Sequence, residues 1–174
     1  MTFSTRVVDD LATLKAVSHP IRTKLLGILR ADGPATASAL GRRIGESSGS
    51  TSYHLRQLER FGFVADDDDQ PSRRERRWRA VHEMTSFPVE LVQAPGGREL
   101  FDQVQRRQLE ILQEGLAALT EPTRGFSHSD YQLRLDTDDL EALAADLEAV
   151  VARYSRRSGE HSVSLHVLAL PRPA

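Results

Sequence analysis

The stretch from Thr36 to Gly62, TASALGRRIGESSGSTSYHLRQLERFG, constrains this chain more than any other part of it. Thr36 or Ser38 can cap a short helix carrying Ala39, Leu40 and Ile44, and Gly45 ends that helix. After a turn at Glu46 to Ser48, Thr51, Leu55 and Leu58 recur at helical spacing and form an inward stripe, which Gly62 closes. The opposite face carries Ser50, Tyr53, Arg56, Gln57 and Arg60. It begins with small hydrogen-bonding side chains and holds no acid until Glu59. Two short helices joined by so tight a turn leave the outer face of the second free to meet a partner.

The segments around this pair extend the pattern. Leu11, Leu14 and Val17, then Ile21, Leu25, Leu26, Ile28 and Leu29, predict two earlier helices, with His19-Pro20 between them and Asp32-Gly33-Pro34 as the stop. Phe63 and Val64 open an extended segment that runs into ADDDDQPSRRERRWRA, residues 65 to 80. From Arg73 onward the residues alternate, with Trp78 and Ala80 on one face and Arg77, Arg79 and Val81 on the other. A β-hairpin turning at Gln70-Pro71-Ser72 is expected.

Pro88, Pro95, Gly96 and Gly97 mark a linker over residues 84–96. Beyond it, Leu100, Phe101, Val104, Ile111, Leu112, Leu116 and Leu119 predict one long helix over 97–120 whose apolar stripe needs a partner. The last third, 128–171, reads as strand, helix, strand. Tyr131, Leu133 and Leu135 alternate, Leu140 to Tyr154 has helical spacing, and Val163, Leu165 and Val167 alternate again. Two strands are marginal alone, so this unit is expected to complete itself against another subunit or the long helix.

Composition narrows the functions open to such a chain. With 174 residues, 39% hydrophobic and 28% charged, it has the make-up of a soluble globular protein. No apolar run approaches the roughly 18 to 20 residues of a membrane span, and no amino-terminal signal pattern is seen, so a cytoplasmic location is expected. The absence of cysteine excludes disulfides and thiolate chemistry. Net charge is −2, yet residues 1–82 hold 14 basic and 10 acidic side chains, against 9 and 15 in the remainder. The amino-terminal half is the one suited to a polyanion.

Helix, tight turn and helix is the arrangement that places its second member in a DNA major groove, roughly 12 Å wide. Arg56 suits a guanine edge or a phosphate, Gln57 suits adenine, and Ser50, Ser52 and Tyr53 offer hydroxyls to base edges or phosphates. The chain contains no asparagine, so amide readout of adenine falls to glutamine. Arg73, Arg74, Arg76 and Arg77 of the hairpin suit phosphates. Trp78 is expected to pack under the hairpin rather than stack on a base, and His54, beside the inward stripe, to pack or to bond phosphate. GESSG at 45–49 matches a nucleophile-elbow pattern but lacks the preceding strand that the elbow requires. His161 and His166 are five apart on an expected strand and point to opposite faces. No catalytic residue, metal or cofactor is expected.

The segments LKAVSHPIRTKLLGILR, STSYHLRQLERFGFV and RRERRWRAV, in this order over about residues 9 to 82, resemble the arsenic-repressor (ArsR) family of winged helix-turn-helix transcription regulators. The resemblance implies a homodimer on double-stranded operator DNA. It implies contact roles for Ser52, Tyr53 and Arg56 on the recognition helix, about 49–61, and backbone roles for the arginines of the wing, about 63–81. The chain departs from the metal-sensing members: its third helix has no cysteine and its long helix no histidine. The expected fold is mainly α with a small β component: a winged domain over 1–83, a dimerisation helix, and a carboxyl-terminal β-α-β unit able to dimerise or to meet a small-molecule or protein effector. A second reading is a winged-helix module that binds and modulates another regulator, since Asp66 to Asp69 would repel phosphate if aimed at DNA. An enzyme is a third reading, with no acid, base and nucleophile set to support it.

Overall fold

Asp10, Thr36 and Ser47 each begin a helix by the same device, a side-chain oxygen that accepts a backbone N–H of the first turn. Asp10 takes Thr13 N at 2.9 Å, Thr36 takes Ala39 N at 3.2 Å, and Ser47 takes Ser50 N at 3.1 Å. The computed structural model describes residues 4–69, 76–119 and 131–155, together with 129, 157, 159, 163 and 165–170. Its elements are β1 (Thr5–Val7), α1 (Leu11–Ser18), α2 (Pro20–Asp32), β2 (Ala35–Thr36), α3 (Ala37–Ile44) and α4 (Ser48–Arg60). They continue with β3 (Val64–Asp66), β4 (Arg77–Ala80), β5 (Met84–Ser86), α5 (Val89–Gln93), α6 (Gly97–Ala118) and α7 (Thr137–Tyr154).

Proline at the first position of α2 restarts the chain as a helix directly after α1, as His19-Pro20 predicts. Gly45, at φ 76°, takes the left-handed conformation that ends α3 and lets α4 begin three residues later. Leu14, Leu25, Leu40, Leu55 and Leu58 are wholly buried in one core, which Phe63, Val64 and Trp78 extend beneath the wing. The wing is a three-stranded antiparallel sheet in the order β2-β4-β3, with Trp78 opposite Ala35 on one side and Asp66 on the other. β4 is therefore its centre, and Trp78 is only 2% exposed. This is a winged helix-turn-helix fold.

Three features depart from the sequence expectations. β1 pairs in parallel with β5, Thr5 opposite Met84, so the expected linker at 84–96 contains a strand and the short helix α5. A three-residue strand is too short to show an alternation, and its partner is 79 residues away along the chain. The compact unit consequently runs from Phe3 to Leu109, past the expected boundary at residue 83, with Leu91 and Val104 in its core. β2 adds a third strand to the expected hairpin.

The second unit begins at Glu110 and contains α7, which Asp136 caps by accepting Asp139 N at 2.9 Å. The expected strands on either side of α7 are not formed among the described residues, so of the β-α-β reading only the helix is seen there. Tyr131, Leu133 and Leu135, like Val163, Leu165 and Val167, stand exposed. Alternation becomes a strand only with a ladder partner and a covering surface, and this unit supplies neither for the described residues. No helix among the described residues is long and apolar enough to cross a membrane.

Candidate nucleic-acid interface

The recognition helix is held by its inward stripe. Thr51, Leu55 and Leu58 are fully buried, and Thr51 Oγ1 also donates to Ser47 O at 2.9 Å. Gly41 lets α3 approach closely: a Cβ there would lie 2.7 Å from Glu46 O and 3.0 Å from Thr51 Oγ1. With that crossing set, the remaining face of α4 is fixed in direction. Tyr53, Arg56 and Arg60 are exposed on it, and Ser50, Ser52 and Gln57 are half-buried.

On one flank of α4 lies the wing. A cleft of about 310 Å³ gathers Thr36, Ser38, Ser48, Ser52, Arg56 and Arg76, which places two guanidiniums among four hydroxyls. Ser52 and Arg56, singled out from the sequence on the helix, and Arg76, singled out on the hairpin, thus line one cavity. Such a donor-rich cleft suits a phosphate oxygen. Arg73 and Arg74 lie outside the described residues.

The wing arginines are already engaged with the chain's own acids. Arg76 donates through Nε to Asp66 Oδ1, and through Nη2 to Glu59 Oε1 at 2.5 Å. Its guanidinium lies 3.8 Å over the Trp78 ring. Arg77 meets Asp67 at 3.4 Å and donates to Pro34 O at 2.9 Å, while Arg79 faces Asp68 at 3.5 Å. The hydrogen bond from Arg76 holds the Asp66 carboxyl below its usual range, and the same bond raises the arginine's own pKa. Three of the four consecutive aspartates therefore meet a wing arginine. The charge run, read from sequence as two opposed blocks, folds back on itself across the hairpin.

On the other flank, the His54 ring lies 4.7 Å from that of His19, the residue before Pro20, and 5.3 Å from the Tyr53 ring. Burial, then the neighbouring Arg22, lowers both histidine pKa values; Glu46 acts in the opposite sense on His54. Both rings are thereby shifted toward the neutral form. Sequence reasoning missed His19 as part of this surface, because it marks a helix boundary and carries no periodic signal; Glu59 was read as the first acid of the outward face, but its pairing with Arg76 depends on the tertiary fold.

Among the described residues no three His, Asp or Glu converge as a metal site. The helix-turn-helix domain family matches residues 17–66, which span α2, α3, α4 and the first strand of the wing hairpin. No curated protein matches the chain. Among solved structures, the YusO protein from Bacillus subtilis is 17% identical, covers 81% of this chain and 82% of its own, and superposes with a TM-score of 0.36. Transcriptional regulator Tm0710 from Thermotoga maritima is 12% identical, with 84% and 87% covered and a TM-score of 0.35. The PcaV transcriptional regulator from Streptomyces coelicolor, solved with its natural ligand, is 18% identical, with 78% and 74% covered and a TM-score of 0.35. Superpositions this loose carry no weight for function.

Proposed function

We infer that this chain is a DNA-binding transcription regulator of the arsenic-repressor-like winged type, acting in the cytoplasm as a homodimer on double-stranded operator DNA. The observation that carries the reading is the cleft between α4 and the wing, where Arg56 and Arg76 converge among hydroxyls beside an outward face rich in hydrogen-bonding side chains. In this reading α4 enters the major groove, with Arg56 and Gln57 at base edges and Ser50, Ser52 and Tyr53 at edges or phosphates. Arg76 and Arg77, with Arg73 and Arg74 of the same hairpin, follow the flanking backbone. α6 pairs with its mate, a role suited to a helix that exposes Leu109 and Leu116, and α7 offers an effector surface.

Selection of binding sites from random DNA tests this. A palindrome whose half-sites lie one helical turn apart, roughly 34 to 36 Å, is the expected product for a dimer that presents two recognition helices. The paired state of Arg76, Arg77 and Arg79 favours one second reading, a winged module that modulates another regulator. Enrichment of no site unless a second protein is added would decide for that alternative.

A further inference from the structure

Away from the recognition face, the molecule concentrates positive charge that no described carboxylate engages in an ion pair. Arg30 reaches from α2 to the segment after β4, where Nε donates to His82 O at 2.9 Å and Nη2 to Thr85 Oγ1 of β5 at 2.8 Å. Both acceptors are neutral, and burial brings the Arg30 pKa down to about 10. Beside His82 opens a cavity of about 480 Å³ lined by Arg6, Thr13, Arg60, Phe61, Gly62 and His82. Arg6 Nε and His82 Nδ1 are buried there with no hydrogen-bond partner. Among the described residues no ion pair engages Arg6, Arg30 or Arg60.

The acids nearby are committed elsewhere. Asp10 is close enough for Arg6 to lower its pKa, but its oxygens accept Thr13 N at 2.9 Å and Thr13 Oγ1 at 2.5 Å. Glu83 accepts Ser4 N at 2.9 Å and Ser4 Oγ at 3.2 Å. The region holds three guanidiniums and an imidazole against these two carboxylates, which stay charged but form no ion pair with any of the three, so an excess of positive charge remains.

We propose that this cavity is an oxyanion site, which takes the carboxylate or phosphate group of a small organic molecule on Arg6, Arg60 and His82, with the molecule's apolar part against Phe61. Its volume lies within the range of small-molecule pockets, roughly 300 to 1,000 Å³, and is well above what a bare inorganic ion fills. Burial and then Arg6 and Arg30 lower the His82 pKa, so a bound anion, opposing both charges, raises it. The lining also gives the site a route to DNA. Arg60 ends α4, Phe61 follows it, Gly62 at φ 75° leads into β3, and His82 follows β4. An occupant therefore touches the end of the recognition helix and both roots of the wing. That coupling rests on the DNA-binding reading; the oxyanion site itself does not.

Histidine-labelled full-length chain is titrated by NMR at pH 7 with benzoate and, separately, with inorganic phosphate. The expected result is a saturable shift of the His82 resonances and a rise in its pKa. Response to benzoate alone identifies a carboxylate ligand, and response to phosphate alone a phosphorylated one. Arg6→Gln and Arg60→Gln each weaken binding by on the order of tenfold, whereas Arg6→Lys, which keeps the charge, retains part of it. Unchanged melting temperatures show that the variants are folded. No saturable shift with either anion, or binding indifferent to both glutamine variants, overturns the proposal. DNA affinity measured with and without saturating anion separates the two readings. A chain that binds the anion but no DNA sinks the regulator reading and leaves the site standing; a chain that binds both independently overturns the coupling.

Discussion

Arg76 donates through Nε to Asp66 across the wing and through Nη2 to Glu59 of α4, so one guanidinium ties the hairpin to the recognition helix. It also covers the face of Trp78, which closes that ring to an incoming base. The pairs of Arg76, Arg77 and Arg79 with Asp66, Asp67 and Asp68 are partly exposed, and pairs of that kind contribute only about 0 to 1 kcal/mol each. A phosphate can displace a partner held so weakly. If the wing arginines meet the DNA backbone as proposed above, the acidic run acts as a built-in competitor for them.

Replacing Asp66, Asp67 and Asp68 with serine is therefore expected to tighten binding to random-sequence DNA. At about half a kcal/mol per exposed pair, the gain is roughly tenfold at low salt and shrinks as salt is raised. Fluorescence anisotropy with a random duplex measures it. Unchanged affinity would mean that the aspartates point away from the duplex when DNA is bound.

Arg76→Ala and Gln57→Ala separate positioning from base reading. Loss of one phosphate contact at Arg76 flattens the plot of log affinity against log salt by about 0.9, with similar loss on every sequence. Gln57→Ala instead relaxes preference at one base pair by roughly 1 to 3 kcal/mol and leaves the slope alone. Competition assays across single-base operator variants distinguish them. A uniform loss for Gln57→Ala would place that side chain on the backbone.

How much of this surface was legible follows from the range of each interaction. The inward stripe of α4 and the place of Trp78 come from periodicity, which a sequence displays directly, and both residues sets are buried as that periodicity requires. β1 with β5 and the third wing strand β2 were hidden because strands of two or three residues have no period to read, and their partners lie far along the chain. The Asp66–Arg76, Asp67–Arg77 and Asp68–Arg79 pairs depend on hairpin register, which the charge run alone does not fix. The alternation at Tyr131 to Leu135 had the opposite fault, a pattern without a ladder partner.

Gly41→Ala tests the crossing that aims α4. The added methyl meets Glu46 O at 2.7 Å, a backbone atom in the turn, so α3 and α4 must separate. Overpacking of this kind costs about 1 to 3 kcal/mol. Urea unfolding should show a lower midpoint with an unchanged slope, together with weaker DNA binding. Full stability would show that the turn can yield.

Acid sensitivity should reside at His19 and His54. Burial and Arg22 lower both pKa values in the folded chain, so in the window between those values and 6.5 the unfolded chain binds more protons. Their contribution to stability is thus complete above pH 6.5 and is lost as pH falls through that window. The ring contact at 4.7 Å adds to the effect, since a second proton would meet a like charge. Asp66 and Asp10, whose pKa values are also lowered, act only below the carboxylate value of 3.8 and do not enter this range. The melting temperature of the wild-type chain is expected to drop between pH 7.5 and 5.5, and the double variant His19→Gln, His54→Gln to drop less. An equal drop in the variant would move the effect to His82, whose pKa burial also lowers.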